Sequence, residues 1–206
     1  MLRDTETGLR VAAKLGQMLA ADGIGISGLK LGANDSAAQR AMGLPGPLVA
    51  PLYEEWMLPA QAAVPLSRFV QPKLEAEIGF RLVRGTWVAL ACIEIADSRL
   101  SGWSGQGGQI LADFALNGAI VRGTDLGTAA ETSYEVRHDG ALVAAGTASV
   151  SEARRRMEKH AADAGVRFVA SGALHALVDL EPGAWALRFR EGGEVAVTVT
   201  GTTAPE

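Results

Sequence analysis

The chain has 206 residues, 48% hydrophobic and 20% charged, with a formal net charge of −4. A chain of this length buries about 70% of its unfolded surface, so a single domain over 1–206 is expected, with no disulfide or structural metal needed for folding. The lone cysteine, Cys92, excludes an intrachain disulfide framework or a cysteine-based zinc site, and the acidic balance argues against nucleic acid.

The first predicted element is a helix over 4–22, capped by Asp4 or Thr5 and stopped by Gly23, with Leu9, Val11, Leu15 and Met18 at helical spacing. Residues 1–23 thus form a helical lead-in. A β-like segment over 24–31 and a short helix-prone stretch over 36–42 follow, then a stiff turn at Gly43-Leu44-Pro45-Gly46-Pro47. Strands are predicted at 48–52, 74–83, 88–96, 118–122, 132–138, 141–150, 166–170 and 184–200, the last broken at Glu191-Gly192-Gly193. Asp139-Gly140 marks a hairpin, and 151–164 reads as a helix with the solvated basic run Arg154-Arg155-Arg156. Strands outnumber helices and do not alternate with them, which predicts an α+β, mostly β domain built on a mixed, curled sheet with an N-terminal helix. Met1–Thr7 lacks the apolar core of a signal peptide, and no run reaches the length of a membrane span; a cytoplasmic protein is the expectation.

Three carboxylates stand out. Glu75 and Glu77 share one face of a predicted strand, because side chains repeat every second residue. Such a pair on a half-exposed strand is ordinary by itself. Glu94 is different: Leu90, Cys92 and Ala96 flank it on its own side, with Ala91, Ile93 and Ile95 opposite. A carboxylate in a strand apolar on both faces is expected to be buried, and it then needs a metal, an arginine or a raised pKa. Oxygen donors of this kind suit a hard divalent cation.

Other signals are weaker. Gly105-Gln106-Gly107-Gly108 lacks the spacing of a dinucleotide loop. His138 and His160 are expected at the surface, and His175 beside Ser171-Gly172-Ala173-Leu174 reads as structural.

Taken in order, Lys30 in Gly28-Leu29-Lys30-Leu31-Gly32, Gln39, Gly43, Pro65-Leu66-Ser67-Arg68, Gln71-Pro72-Lys73-Leu74-Glu75-Ala76-Glu77, Ile93-Glu94-Ile95-Ala96-Asp97-Ser98-Arg99, Trp103 and Ala112-Asp113 form an ordered series. This series resembles the 2-keto-4-pentenoate hydratase and 4-oxalocrotonate decarboxylase family of the fumarylacetoacetate hydrolase superfamily, from about Lys30 to Gly118. The resemblance implies a curled, mostly β fold and a Mg²⁺ or Mn²⁺ held by Glu75, Glu77 and Glu94. It also implies a catalytic and substrate-binding Lys30, whose pKa burial near a cation would lower. Asn117, Ser171 and Gly172 map onto positions expected to contact substrate, and Glu181-Pro182-Gly183 continues the C-terminal resemblance.

The chain departs from that pattern in two places. Gly46-Pro47-Leu48-Val49 supplies no acid where the family carries one. Phe114 and Leu116 stand in Ala112-Asp113-Phe114-Ala115-Leu116-Asn117-Gly118 where polar groups are expected. They form either an apolar wall of the site or part of the core.

The resemblance therefore implies a metal-dependent lyase acting on a small 2-oxo or 2-hydroxydienoic acid, a hydratase first. A 4-oxalocrotonate-type decarboxylase and an acylpyruvate hydrolase are alternatives. A non-catalytic subunit partnering an active paralogue is the alternative of another class. A homo-oligomer is expected, with no nucleic-acid or membrane partner.

Overall fold

The computed structural model describes residues 4–161 and 165–201. The opening helix is α1 (Thr5–Ala21), and its cap is Asp4, whose carboxylate accepts the Thr7 amide at 2.8 Å. Gly8 lets α1 touch the short helix α3 (Gly108–Ala112): a Cβ at Gly8 would lie 2.2 Å from the Gly108 carbonyl oxygen. Backbone contact this close is available only to glycine, and it fixes α3 over the region that becomes the candidate site. The predicted 36–42 helix is α2 (Ser36–Ala41). The last three residues of the predicted 151–164 helix lie outside the described residues; α4 spans Val150–Ala161.

Two sheets carry the fold. The first contains β1 (Ile26–Gly32), β2 (Leu48–Tyr53), β3 (Met57–Leu58), β5 (Pro72–Val83), β6 (Thr86–Asp97), β7 (Asn117–Asp125) and β10 (Phe168–Ala173), in the order β2-β1-β10-β5-β6-β7-β3, with β11 (Val178–Asp179) also paired to β5. The second orders β4 (Ala62–Pro65), β8 (Glu131–His138), β9 (Ala141–Ser149), β12 (Gly183–Phe189) and β13 (Glu194–Thr200) as β4-β13-β12-β8-β9. Pairing is mixed: β1 with β10, β3 with β7 and β4 with β13 are parallel, and the other pairs are antiparallel. The fold is α+β and mostly β, as the strand pattern predicts.

The period-two pattern of β5 and β6 explains the layering. Leu74, Ala76, Ile78 and Phe80 of β5, with Ala89, Ala91, Ile93 and Ile95 of β6, pack in one core with Trp185, Leu187, Val195 and Val197 of the second sheet. The alternate residues face the other way, yet Leu90 and Cys92 there are also buried. They are covered by their own sheet: Leu52 of β2 joins Leu90, Ile120, Phe168 and Ala170 in a second apolar cluster. β2 and β6 stand four places apart in the strand order, so a flat sheet would hold them about 19 Å apart at about 4.8 Å per strand. Only a sheet curled on itself brings them together.

Short strands escape a reading based on periodicity. β3, β4 and β11 have two to four residues each, too few to display a period.

Candidate active site and metal centre

The curl gathers Lys30 from β1 and the glutamates from β5 and β6. Glu75 lies directly opposite Glu94 across the antiparallel pair, and Glu77 is opposite Cys92. One carboxylate oxygen from each of Glu75, Glu77 and Glu94 falls within 4.8 Å of the others. Glu94 and Glu77 are 0% and 1% exposed; Glu75 is half-buried and faces a cavity. Each fully buried glutamate has one oxygen taken by the protein. Glu77 Oε2 accepts the Gly172 amide at 3.0 Å, and Glu94 Oε1 pairs with the Lys30 ammonium. Glu77 Oε1 and Glu94 Oε2 have no partner among the described residues.

A buried carboxylate oxygen left without a donor is costly, and three carboxylates this close repel one another. Both strains show in the acidities. Burial first, then the charge of Glu94, raises the Glu75 carboxyl to about 7, with Lys30 opposing. Glu77 is driven well up by burial and by the charges of Glu94 and Glu75. A hard divalent cation would satisfy both orphan oxygens and remove the repulsion, and the donor set is all oxygen. The residues therefore fit a Mg²⁺-like or Mn²⁺-like ion.

Lys30 is 4% exposed. Its Nζ donates to Glu94 and, at 3.0 Å, to the carbonyl of Ala115. Two opposing effects act on the Lys30 pKa when the protein's own groups alone are considered. Burial does push it down, but the charges of Glu94, Glu75 and Glu77 outweigh burial and hold the group above its ordinary value.

The Ala115 carbonyl is presented by an unusual backbone. Phe114, Ala115 and Leu116 have φ values of 50°, 54° and 63°. Three consecutive non-glycine residues in the left-handed region cost about 1–2 kcal/mol each. The turn is held from both ends. The Phe114 ring packs edge-on against Tyr53 and Trp56, with centroids 5.5 and 5.1 Å away. Arg99 pairs with Asp113 and donates to the Asn117 carbonyl at 3.0 and 3.1 Å. The two apolar substitutions thus divide: Leu116 lines the cavity, and Phe114 joins the aromatic cluster.

The cavity, about 210 Å³, opens on Lys30 and Glu75 and is walled by Met42, Leu48, Trp103, Ile110, Leu116 and Leu177. Asn117, Ser171 and Gly172 do not line it. Asn117 is fully buried with neither side-chain polar atom partnered among the described residues, and the Ser171 hydroxyl is likewise buried and unpartnered. Gly172 acts on Glu77 through its amide, at φ +100°, where a Cβ would meet Asn34 Nδ2 at 2.1 Å. His175 Nε2 accepts the Ala76 amide at 3.2 Å. The Ala115 carbonyl was not legible as a site group, because Phe-Ala-Leu carries none of the glycine or asparagine that announces a left-handed turn.

The same fold is seen in solved enzymes of low sequence identity to this chain. Its solved neighbours include 4-oxalocrotonate decarboxylase from Pseudomonas putida G7, complexed with magnesium and adipate, at TM-score 0.81 and 20% identity over 94% of this chain and 85% of that one. Fumarylpyruvate hydrolase from Pseudomonas aeruginosa, in complex with Mn²⁺ and pyruvate, aligns at TM-score 0.61 and 14% identity over 84% and 88% of the two chains.

In sequence the chain is similar to curated 2-keto-4-pentenoate hydratases. It is 32% identical to that of Paraburkholderia phymatum over 119 residues, 51% of this chain and 45% of the relative. It is 31% identical to 2-keto-4-pentenoate hydratase 2 of Dechloromonas aromatica over 117 residues, 50% of this chain and 45% of the relative. The matched region thus spans under half the length of these relatives. No family model matches the chain.

Proposed function

We propose that the chain is a divalent-metal-dependent lyase acting on a small 2-oxo or 2-hydroxydienoic acid, hydratase-like, with Mg²⁺ or Mn²⁺ bound by Glu75, Glu77 and Glu94. The observation that carries this reading is the pair of orphan carboxylate oxygens, Glu77 Oε1 and Glu94 Oε2, in a trio that opens beside Lys30 onto an apolar cavity. Held by Glu75, Glu77 and Glu94, such an ion would supply Lewis acidity toward a 2-oxo acid.

The chain's own residues do the rest. An ammonium has three N–H donors; Glu94 and the Ala115 carbonyl take two from Lys30, and the third is available to the cavity. This free donor supports a Lys30 that holds the substrate carboxylate or delivers a proton to a substrate carbon. Leu48, Ile110 and Leu116 give the cavity an apolar wall that orients no water.

That dry wall favours a second reading, decarboxylation, which needs no positioned water. Acylpyruvate hydrolysis ranks behind both, since among the described lining residues Glu75 alone could activate water. The reading extends to a homo-oligomer, supported by an apolar groove lined by Leu9, Ile24, Ile26 and Pro51. It extends also to the cytoplasm, supported by the lack, among the described residues, of a helix long and apolar enough to cross a membrane.

The test is a spectrophotometric screen of 2-hydroxydienoates and 4-oxalocrotonate with added Mg²⁺ or Mn²⁺. Loss of dienol absorbance without CO₂ release supports hydration, and loss with CO₂ supports decarboxylation. No turnover by the isolated, metal-loaded protein would turn the reading toward a non-catalytic partner subunit.

A further inference from the structure

We propose that His175 is a positioning residue for the metal centre: its Nε2 takes the place of a strand carbonyl on the Ala76 amide and so fixes the main chain between Glu75 and Glu77. The inference rests on the reading of Glu75, Glu77 and Glu94 as metal ligands.

The edge of β5 that faces β10 is broken where the two glutamates stand. Ala173 of β10 pairs with Glu77, and pairing resumes where Val178 of β11 meets Leu74. Ala76 lies in that gap and is 0% exposed, so its main-chain groups need partners within the protein. Its carbonyl accepts the Leu174 amide at 2.9 Å. In a regular antiparallel pair the Leu174 carbonyl would accept the Ala76 amide in return. That carbonyl instead accepts the hydroxyl of Tyr134, on β8, at 2.9 Å. The His175 ring supplies the missing acceptor, with Nε2 taking the Ala76 amide at 3.2 Å.

The surroundings of the ring select the tautomer that this bond needs. Nδ1 lies 2.5 Å from the Ala176 carbonyl oxygen, which can only accept. Nδ1 therefore carries the proton, and Nε2 keeps its lone pair. The Tyr134 ring stacks on the imidazole, with centroids 6.2 Å apart and planes inclined by 26°. Tyr134 thus occupies the carbonyl that would have served Ala76 and seats the ring that replaces it.

The effect on the site follows from peptide planarity. The Ala76 amide belongs to the plane shared with Glu75, and the Ala76 carbonyl to the plane shared with Glu77. With both planes pinned, the two glutamate side chains leave the strand in fixed directions, converging with Glu94. Glu77 and Glu94 are also tethered at their carboxylates, by the Gly172 amide and by Lys30. For Glu75 the hold is through the main chain.

Two variants separate the ring from its acceptor. His175→Phe keeps a ring against Tyr134 and offers no lone pair to Ala76; His175→Gln loses the ring and offers a side-chain carbonyl. In calorimetric titration, Mn²⁺ is expected to bind His175→Phe about tenfold or more weakly than the unaltered protein, the size of effect typical of groups that orient ligands. His175→Gln should recover most of that loss. Hydrogen exchange of the Ala76 amide in the metal-free protein should accelerate in His175→Phe and stay slow in His175→Gln.

Should His175→Phe not fold, the unaltered protein decides. NMR of the ring nitrogens should show Nδ1 protonated and Nε2 bare, with a scalar coupling from Nε2 to the Ala76 amide nitrogen. Saturating Mg²⁺ should slow exchange of that amide, because coupling between the bond and the ion is reciprocal.

A lower melting temperature in His175→Phe with unchanged Mn²⁺ affinity overturns the inference, makes His175 a brace for the sheet alone, and leaves the metal reading standing. A bare Nδ1, or Ala76 exchange indifferent to Mg²⁺, overturns it too. Failure of the unaltered protein to bind either ion removes the metal reading itself, and this inference with it.

Discussion

The Lys30 ammonium lies 3.0 Å from the main-chain carbonyl of Ala115, 85 residues along the chain. That carbonyl reaches the site only because Phe114, Ala115 and Leu116 all take left-handed backbone angles. Strain at such a position persists when the surroundings over-determine it, and here the Phe114 ring and the Arg99–Asp113 pair supply the constraint.

Ala115→Gly tests what the strain is for. Glycine relieves about 1–2 kcal/mol of left-handed cost. It also removes a buried methyl, a loss of about 0.8 kcal/mol, and loosens the unfolded chain by a further ~0.5–1 kcal/mol. The terms offset, so the melting temperature is expected to move by only a few degrees. Turnover should fall about tenfold or more as the carbonyl loses its fixed position. Exchange of the Leu116 amide, bonded to the Asp113 carbonyl at 2.8 Å, should accelerate. Unchanged exchange together with unchanged turnover would show that the turn is merely a connection.

Glu77→Gln separates metal binding from folding. The substitution keeps the shape but removes one of three crowded carboxylates, so the metal-free protein should be as stable as the unaltered one or more so. Stabilisation by Mn²⁺, about 2.7 kcal/mol at a hundredfold excess over Kd for a bound ion, should largely vanish. Thermal melts without Mn²⁺ and with Mn²⁺ in saturating excess read both effects. A variant that keeps its Mn²⁺ shift would take Glu77 out of the metal site.

How much of this was legible in the sequence differs residue by residue. Glu75 and Glu77 could be placed on one face because a strand repeats every two residues, and Glu94 was conspicuous because everything around it is apolar. Their cross-strand register, Glu75 opposite Glu94, follows from the hairpin through Arg84-Gly85. The turn at 114–116 was not legible, since its residues favour ordinary backbone and only tertiary packing overrides that preference. Phe114 and Leu116 are alike in hydrophobicity, so nothing in the sequence could say that one faces the cavity and the other an aromatic cluster. The amide of Gly172, a residue the resemblance maps to a substrate contact, bonds Glu77; a glycine's main-chain role does not appear in a side-chain pattern.

Arg84 has φ 48° beside Gly85 at φ 82° in the tight turn between β5 and β6. Both central residues of a type I′ hairpin turn require positive φ, and Asn-Gly is preferred there. Arg84→Asn is therefore expected to stabilise the protein by up to about 1 kcal/mol, since asparagine enters the left-handed region more readily than arginine, with no effect on Mn²⁺ binding. A lowered melting temperature would contradict the assigned turn.

The site also predicts a pH dependence with a defined sign. The Glu75 carboxyl is raised to about 7 in the folded protein from an ordinary value of 4.5. Between those values the folded state holds a proton that the unfolded chain has released. The stability from this group is therefore complete below about 4.5 and lost as the pH rises through about 7. Mn²⁺ competes with the same proton, so its affinity should rise over that window. Urea midpoints of the metal-free protein and of Glu75→Gln, compared at pH 5 and pH 8, isolate the effect. The difference between the two proteins should change with pH in the stated direction, and a constant difference would deny the raised pKa.

Lys30→Met reports on the lysine in two ways. The ammonium is the protein's only partner for the Glu94 carboxylate among the described residues. Its removal leaves a buried, crowded carboxylate uncompensated, which should cost the metal-free protein up to about 3–5 kcal/mol. Methionine fills nearly the same volume, so packing contributes little to that loss. Mn²⁺ should then restore more stability to the variant than to the unaltered protein, because the cation takes over the lysine's electrostatic role. It cannot take over the third N–H that the proposed function assigns to substrate, so the rescued, metal-loaded variant should fold normally and still lose nearly all turnover. Recovery of both stability and turnover on adding Mn²⁺ would reduce Lys30 to a counter-ion for Glu94.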